Sequence, residues 1–124
     1  MPAQKIIDPR AIQNLRDLAP SDNDAFLREV VGMFLSDTPE RITELQESVR
    51  SADGVRFTRA AHSIKGSSSN LGADALRQAA ERAENDSDTR PVAQLEPLVA
   101  EIRAEFARAQ AELERILAAG PQGQ

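Results

Sequence analysis

At 124 residues, of which 40% are hydrophobic and 28% charged, the chain has room for one domain around one core, which excludes a multidomain enzyme. The absence of cysteine removes disulfides, thiolate metal sites, thiol nucleophiles and thiol redox chemistry, and no apolar run approaches the roughly 18 residues of a membrane span. A net charge of −5 and four Phe with no Trp or Tyr argue against nucleic acid as a partner, and without a signal-peptide core at the start the expected compartment is the cytoplasm.

Taken in chain order, residues 1–7 read as a flexible lead-in. Asp8-Pro9 then reads as a helix cap and first helical position, with Ile12, Leu15 and Leu18 on one stripe up to Ala19-Pro20. A second helix is expected from Ser21 or Asp22, through Leu27, Val30, Val31, Phe34, Ile42, Leu45 and Val49, to an end at Asp53-Gly54. Pro39 falls inside it. Because Leu27 to Leu45 and Val31 to Val49 are each 18 residues, five helical turns, both halves show the core the same face, and one long helix bent at Pro39 is expected.

A third helix is predicted over about Val55 to Leu71, where Phe57, Ala61, Ile64, Ser68 and Leu71 form a stripe of small and apolar residues and Gly72 supplies the stop. A fourth runs from Asp74 to about Asn85 on Leu76, Ala79, Ala80 and Ala83. The fifth starts near Pro91 and repeats Val92, Leu95, Val99, Ile102, Phe106, Ala109, Leu113 and Ile116 at alternating spacings of 3 and 4. Residues 119–124 read as a disordered tail. Short links between long helices predict an all-α fold, an antiparallel up-down four-helix bundle over residues 8–118 with a short extra N-terminal helix as a lid. Pairing between chains along the fifth helix is the less favoured use of its seam, since three other amphipathic helices can cover it, and a monomer is expected.

Charge is segregated within this frame. Between Gly54 and Arg82 the bases Arg56, Arg59, Lys65, Arg77 and Arg82 face only Asp74 and Glu81, so that stretch is +3 and the remainder −8. An acidic partner for the basic stretch is one reading, and chance segregation of solvated side chains is the other.

Within that stretch His62, the single histidine, falls roughly 140° from the core stripe on a helical wheel, so its ring is expected in solvent. Lys65 and Gly66 follow one turn on, and Thr58 and Arg59 lie one turn back. A glycine in a helix interior costs about 1 kcal/mol relative to Ala. Its functional reading is that the missing side chain lets another protein reach the ring nitrogen; otherwise it marks fraying toward the helix end. Lys65 and Arg59 suit the oxygens of a phosphoryl group, and no carboxylate sits three or four residues away to orient the ring. That argues against a Ser-His-Asp type of base and for a histidine that itself accepts a phosphoryl group. Arg59 and Ser69, the latter two turns on along the same face, are candidate docking residues, although a solvated hydroxyl with no role is the commoner reading of Ser69.

The run His62-Ser63-Ile64-Lys65-Gly66-Ser67-Ser68-Ser69-Asn70-Leu71-Gly72 matches H-x-x-K-G-[SA]-[SA]-x-x-x-G without a gap. It closely resembles the histidine-containing phosphotransfer (HPt) domains of phosphorelays, with wider similarity from about Asp24 to Leu117 that includes Phe34, Asp37 to Glu40, and Glu84. The resemblance implies that His62 takes a phosphoryl group from a receiver-domain phospho-aspartate and passes it to the Asp of another receiver, with Lys65 stabilising charge and Gly66 giving access. It further implies response-regulator receivers and a hybrid histidine kinase as partners, no intrinsic cofactor, and Mg²⁺ supplied by the receiver. With no ATP-binding boxes, a phosphocarrier without kinase or phosphatase activity is expected. The rival is a degenerate adaptor that docks receivers without accepting phosphate.

Overall fold

The computed structural model describes residues 5–121, and those residues form five α-helices and no strand. They are α1 (Pro9–Asp17), α2 (Ala25–Ser51), α3 (Gly54–Asn70), α4 (Asp74–Asp86) and α5 (Glu96–Ala119), with a 3-10 turn at Val92–Gln94. α2 packs on α3, α3 on α4 and α4 on α5, and α5 closes back on α2, while α1 lies against α2. This closed ring of chain neighbours is the expected four-helix bundle with its extra N-terminal helix. The seam expected of the fifth helix, which begins at Val92 in the 3-10 turn and runs along α5 to Ile116, is buried in the chain's own core, and Phe34 of α2 meets Phe106 of α5 with ring centroids 5.5 Å apart. The residues that would pair two chains therefore face inward.

α2 runs as one helix of 27 residues through Pro39, as the phase of its apolar positions requires, with Leu27, Val31, Phe34, Ile42 and Leu45 all buried. Its ends differ from expectation. The Asp22 carboxylate accepts from Phe26 N–H, but Asn23 and Asp24 take left-handed backbone angles, so the helix starts at Ala25. Asp24 is held there by a buried ion pair with Arg16, whose Nε and Nη2 each lie 2.8 Å from its carboxylate oxygens. At the other end the left-handed residue is Ala52. Gly54 opens α3 instead of ending α2, because the Asp53 carboxylate accepts from Arg56 N–H and caps the next helix.

The α1 stripe also needs correction. Ile12 is buried and Leu15 half-buried, but Leu18 is 71% exposed, since it follows the last helical residue and turns away from the bundle. Arg16 takes the inward place, where it also donates to Gly120 O. α5 begins at Glu96, not near Pro91. Pro97, which has no N–H to donate, sits in its first turn, and the preceding residues tighten into the 3-10 turn. Of the lead-in, residues 1–4 lie outside the described residues and Ile7 is buried with the core; of the tail, 122–124 lie outside them and Ala119 completes α5.

α3 and α4 share the most extensive backbone contact, as expected where small side chains are buried on both helices. These are Ala60, Ala61 and Ser68 on α3 and Ala79, Ala80 and Ala83 on α4. The buried Ser68 hydroxyl donates to Ile64 O within its own helix and so needs no partner across the seam. Between the helices Gly72 has φ +71°, accepts at its carbonyl from Asp8 N–H, and would place an added Cβ 2.8 Å from Ala11 Cβ and 3.0 Å from Asp8 Cβ. It therefore ends α3 and receives α1 at once. Gly72→Ala meets both the left-handed penalty and the steric conflict, and is expected to lower unfolding free energy by about 2–3 kcal/mol in urea denaturation. A loss below about 0.5 kcal/mol would show that α1 is not seated on this glycine.

Candidate functional site

The close α3–α4 seam decides what surrounds His62. The imidazole stands on α3 with its side chain 67% exposed, as its wheel position predicts. Its Nδ1 lies 2.8 Å from Oε2 of Glu84, and Lys65 Nζ lies 2.8 Å from the other oxygen, Oε1. One carboxylate on α4 thus bridges two residues one turn apart on α3. Searching only three and four residues along α3 misses it, because the orienting group comes from the neighbouring helix. The hairpin itself carries the signal: His62 lies 10 residues before Gly72 and Glu84 12 after it, so the two occupy nearly matching levels of an antiparallel pair.

The Glu84 side chain is only 19% exposed. Burial raises the cost of its charge, but the Lys65 ammonium and the His62 N–H outweigh that cost and hold the carboxyl below its ordinary value. The group is therefore ionised at neutral pH and can only accept hydrogen bonds, which assigns the proton to His62 Nδ1. In the neutral ring the lone pair then resides on Nε2, which has no hydrogen-bond partner among the described residues.

Gly66 is exposed, and a Cβ built there meets no atom within 4 Å. Nothing inside the molecule requires a glycine at this position, and α3 continues four residues past it, so fraying at the helix end does not account for it. Ser69 is also exposed, but its hydroxyl donates to Lys65 O within the helix and it does not line the concavity around His62. Arg59 is exposed and does line that concavity. The structure thus brings His62, Lys65 and Glu84 into contact, places Arg59 on the same concavity, and leaves Ser69 apart. Among the described residues no group of three or more ligating side chains is placed to hold a metal ion, and no helix is long and apolar enough to cross a membrane.

Residues 29–118 match the Hpt domain family. Among solved structures, histidine-containing phosphotransfer protein B from Pseudomonas aeruginosa is similar over 91% of this chain and 95% of its own, with 25% identity and a TM-score of 0.79. The HPT domain of a sensor hybrid histidine kinase from Shewanella shares the fold at 20% identity and a TM-score of 0.68, over 90% of this chain and 97% of its own. No curated protein matches the chain by sequence. With the family match spanning most of the bundle and carrying the His-x-x-Lys-Gly helix inside it, the chain belongs to the Hpt domain family, the histidine phosphotransfer modules of phosphorelays.

Proposed function

We propose that His62 is the phosphoryl acceptor and donor of this domain, taking the group from a receiver-domain phospho-aspartate and handing it to the Asp of another receiver. The observation that carries this reading is the exposed ring whose Nδ1 is tied to a buried-edge carboxylate, which leaves Nε2 as the free nucleophile. In the forward step the Nε2 lone pair forms the N–P bond while the acyl phosphate P–O bond breaks, its electrons returning to the receiver's aspartate. The ring becomes cationic as the bond forms, and Glu84, already hydrogen bonded to Nδ1–H, stabilises that charge without rearranging. Passing the group on reverses these events. Lys65 neutralises the bridging carboxylate, so an incoming phosphoryl dianion does not meet an uncompensated negative charge beside the ring. The receiver contributes the acidic pocket and Mg²⁺, and this chain acts as a phosphocarrier whose partners are receivers and a hybrid histidine kinase.

Incubation with a phosphorylated receiver is expected to place acid-labile label on the wild type and none on His62→Gln. Equal labelling of the two would refute the assignment, and a wild type that binds the receiver but takes no label would instead be a docking adaptor.

Gly66→Gln separates access from folding, because the new side chain projects into open space. It is expected to stabilise α3 by up to about 1 kcal/mol through helix propensity while slowing transfer from the receiver. Unchanged transfer would remove Gly66 from the docking surface.

Glu84 has its own signature. Its lowered folded-state value means that the stability it contributes is complete above the ordinary 4.5 and is lost as pH falls through the lower folded value. Glu84→Gln is therefore expected to cost about 0.5–1 kcal/mol in urea unfolding at neutral pH, with the difference from wild type shrinking as pH falls through the lowered folded value. It is also expected to slow transfer by about tenfold through loss of the charge opposite the forming imidazolium. A stability difference that persists into acid, with unchanged transfer, would reduce Glu84 to a packing residue.

A further inference from the structure

The two cations that flank His62 in sequence are not equivalent in space. Lys65 is 29% exposed and lies against Glu84 Oε1, whereas Arg59 is exposed and joins no ion pair or hydrogen bond among the described residues. Helical side chains lean toward the N-terminus of their helix, so the imidazole of His62 leans over the turn that carries Thr58 and Arg59 and away from the turn that carries Lys65 and Gly66.

The surface agrees with this lean. His62 opens onto a shallow concavity of about 600 Å³ whose α3 wall runs back from His62 through Arg59 and Thr58 to Gly54, and whose opposite wall is formed by Glu84, Ser87 and Asp88. Neither Lys65 nor Gly66 lines it. Thr58 and Ser87 both line it, their hydroxyl oxygens 2.6 Å apart. Apart from the ring itself, the charged lining groups are two carboxylates and one guanidinium, so Arg59 is its one permanent cation.

From this division of the charges we infer that Arg59 is the catalytic residue that contacts the phosphoryl oxygens on His62 Nε2, while Lys65 is a positioning residue that holds Glu84. The inference rests on the reading of His62 as the phosphoryl acceptor. A guanidinium offers paired N–H donors that match two oxygens of one phosphoryl group, and in an otherwise acidic concavity it offsets the repulsion between the arriving dianion and Asp88. The same contact persists in the free phosphorylated domain. Arg59 therefore stabilises the phosphohistidine itself as well as the encounter with a partner.

That last consequence distinguishes a phosphoryl contact from a docking contact. A residue that only helps a receiver dock speeds transfer in both directions equally and leaves the end point unmoved. A residue that touches the phosphoryl group shifts the partition of label between His62 and the receiver's aspartate. Wild type, Arg59→Gln and Arg59→Lys would each be mixed with one phosphorylated receiver and followed to equal forward and reverse flux, starting from either phosphorylated partner.

Arg59→Gln is expected to move the partition toward the receiver by about threefold to fivefold, the scale of one exposed charge-assisted contact, and Arg59→Lys to restore part of it. An unchanged partition overturns the inference: with slower approach it makes Arg59 a docking residue, and with unchanged approach a bystander. Failure of the wild type to take label would be failure of the underlying reading, and the wild-type sample reports it separately.

Discussion

The close approach of α3 and α4 is the constraint on which the site depends. Helices that met through leucines would stand farther apart, and a carboxylate on one would not reach both an imidazole and an ammonium on the other. Here Ala79, Ala80 and Ala83 face a helix whose own buried residues include Ala60, Ala61 and Ser68, and the buried hydroxyl of Ser68 is satisfied by Ile64 O within its helix. Small side chains bury little apolar surface, so the bundle draws its hydrophobic stabilisation from the large side chains elsewhere in the core, among them Phe57 and Ile64 of α3, Leu76 of α4, the buried seam of α5, and Phe34 and Phe106, whose rings meet at a tilt of 51°. The large side chains hold the bundle together, while the seam of small ones sets the distance from Glu84 to His62.

Once that distance is set, the charges sort themselves. A lone imidazole in water has two interchangeable tautomers, and fixing one needs an acceptor that does not exchange with solvent. Glu84 meets this need because it is largely buried and because Lys65 offsets its charge. The result is a triad in which each member limits another: the lysine keeps the carboxylate ionised, the carboxylate holds the proton on Nδ1, and Nε2 is left without a partner among the described residues. Gly66 keeps the surface beside them open.

Much of the architecture was legible from apolar periodicity, because the core positions of α2, α3, α4 and α5 recur at helical spacing and bury as that spacing requires. The continuity of α2 through Pro39 followed from phase alone. What periodicity does not encode is the behaviour of the ends. The start of α2 at Ala25 depends on an ion pair between Asp24 and Arg16 of a different helix, and the end of α2 at Ala52 depends on the Asp53 carboxylate capping the next one. The ion pair joins separate segments and has no signature in the apolar period, and the Asp53 cap is a local signal that apolar periodicity does not read. The exposed His62 and the open surface at Gly66 were readable from a helical wheel, which resolves one helix well. Glu84 was not, because a wheel contains no second helix, and the same limit concealed the difference between Lys65, drawn to α4, and Arg59, left in solvent.

If Glu84 fixes the proton on Nδ1, the phosphoryl group of the loaded domain must sit on Nε2. Long-range ¹H–¹⁵N correlation spectroscopy of the ¹⁵N-labelled, receiver-phosphorylated domain reads this directly, since it identifies which ring nitrogen of His62 is bonded to phosphorus. Phosphorus on Nε2 with the proton retained on Nδ1 is the expected result. Phosphorus on Nδ1 would require the Glu84 contact to break before transfer and would contradict the account.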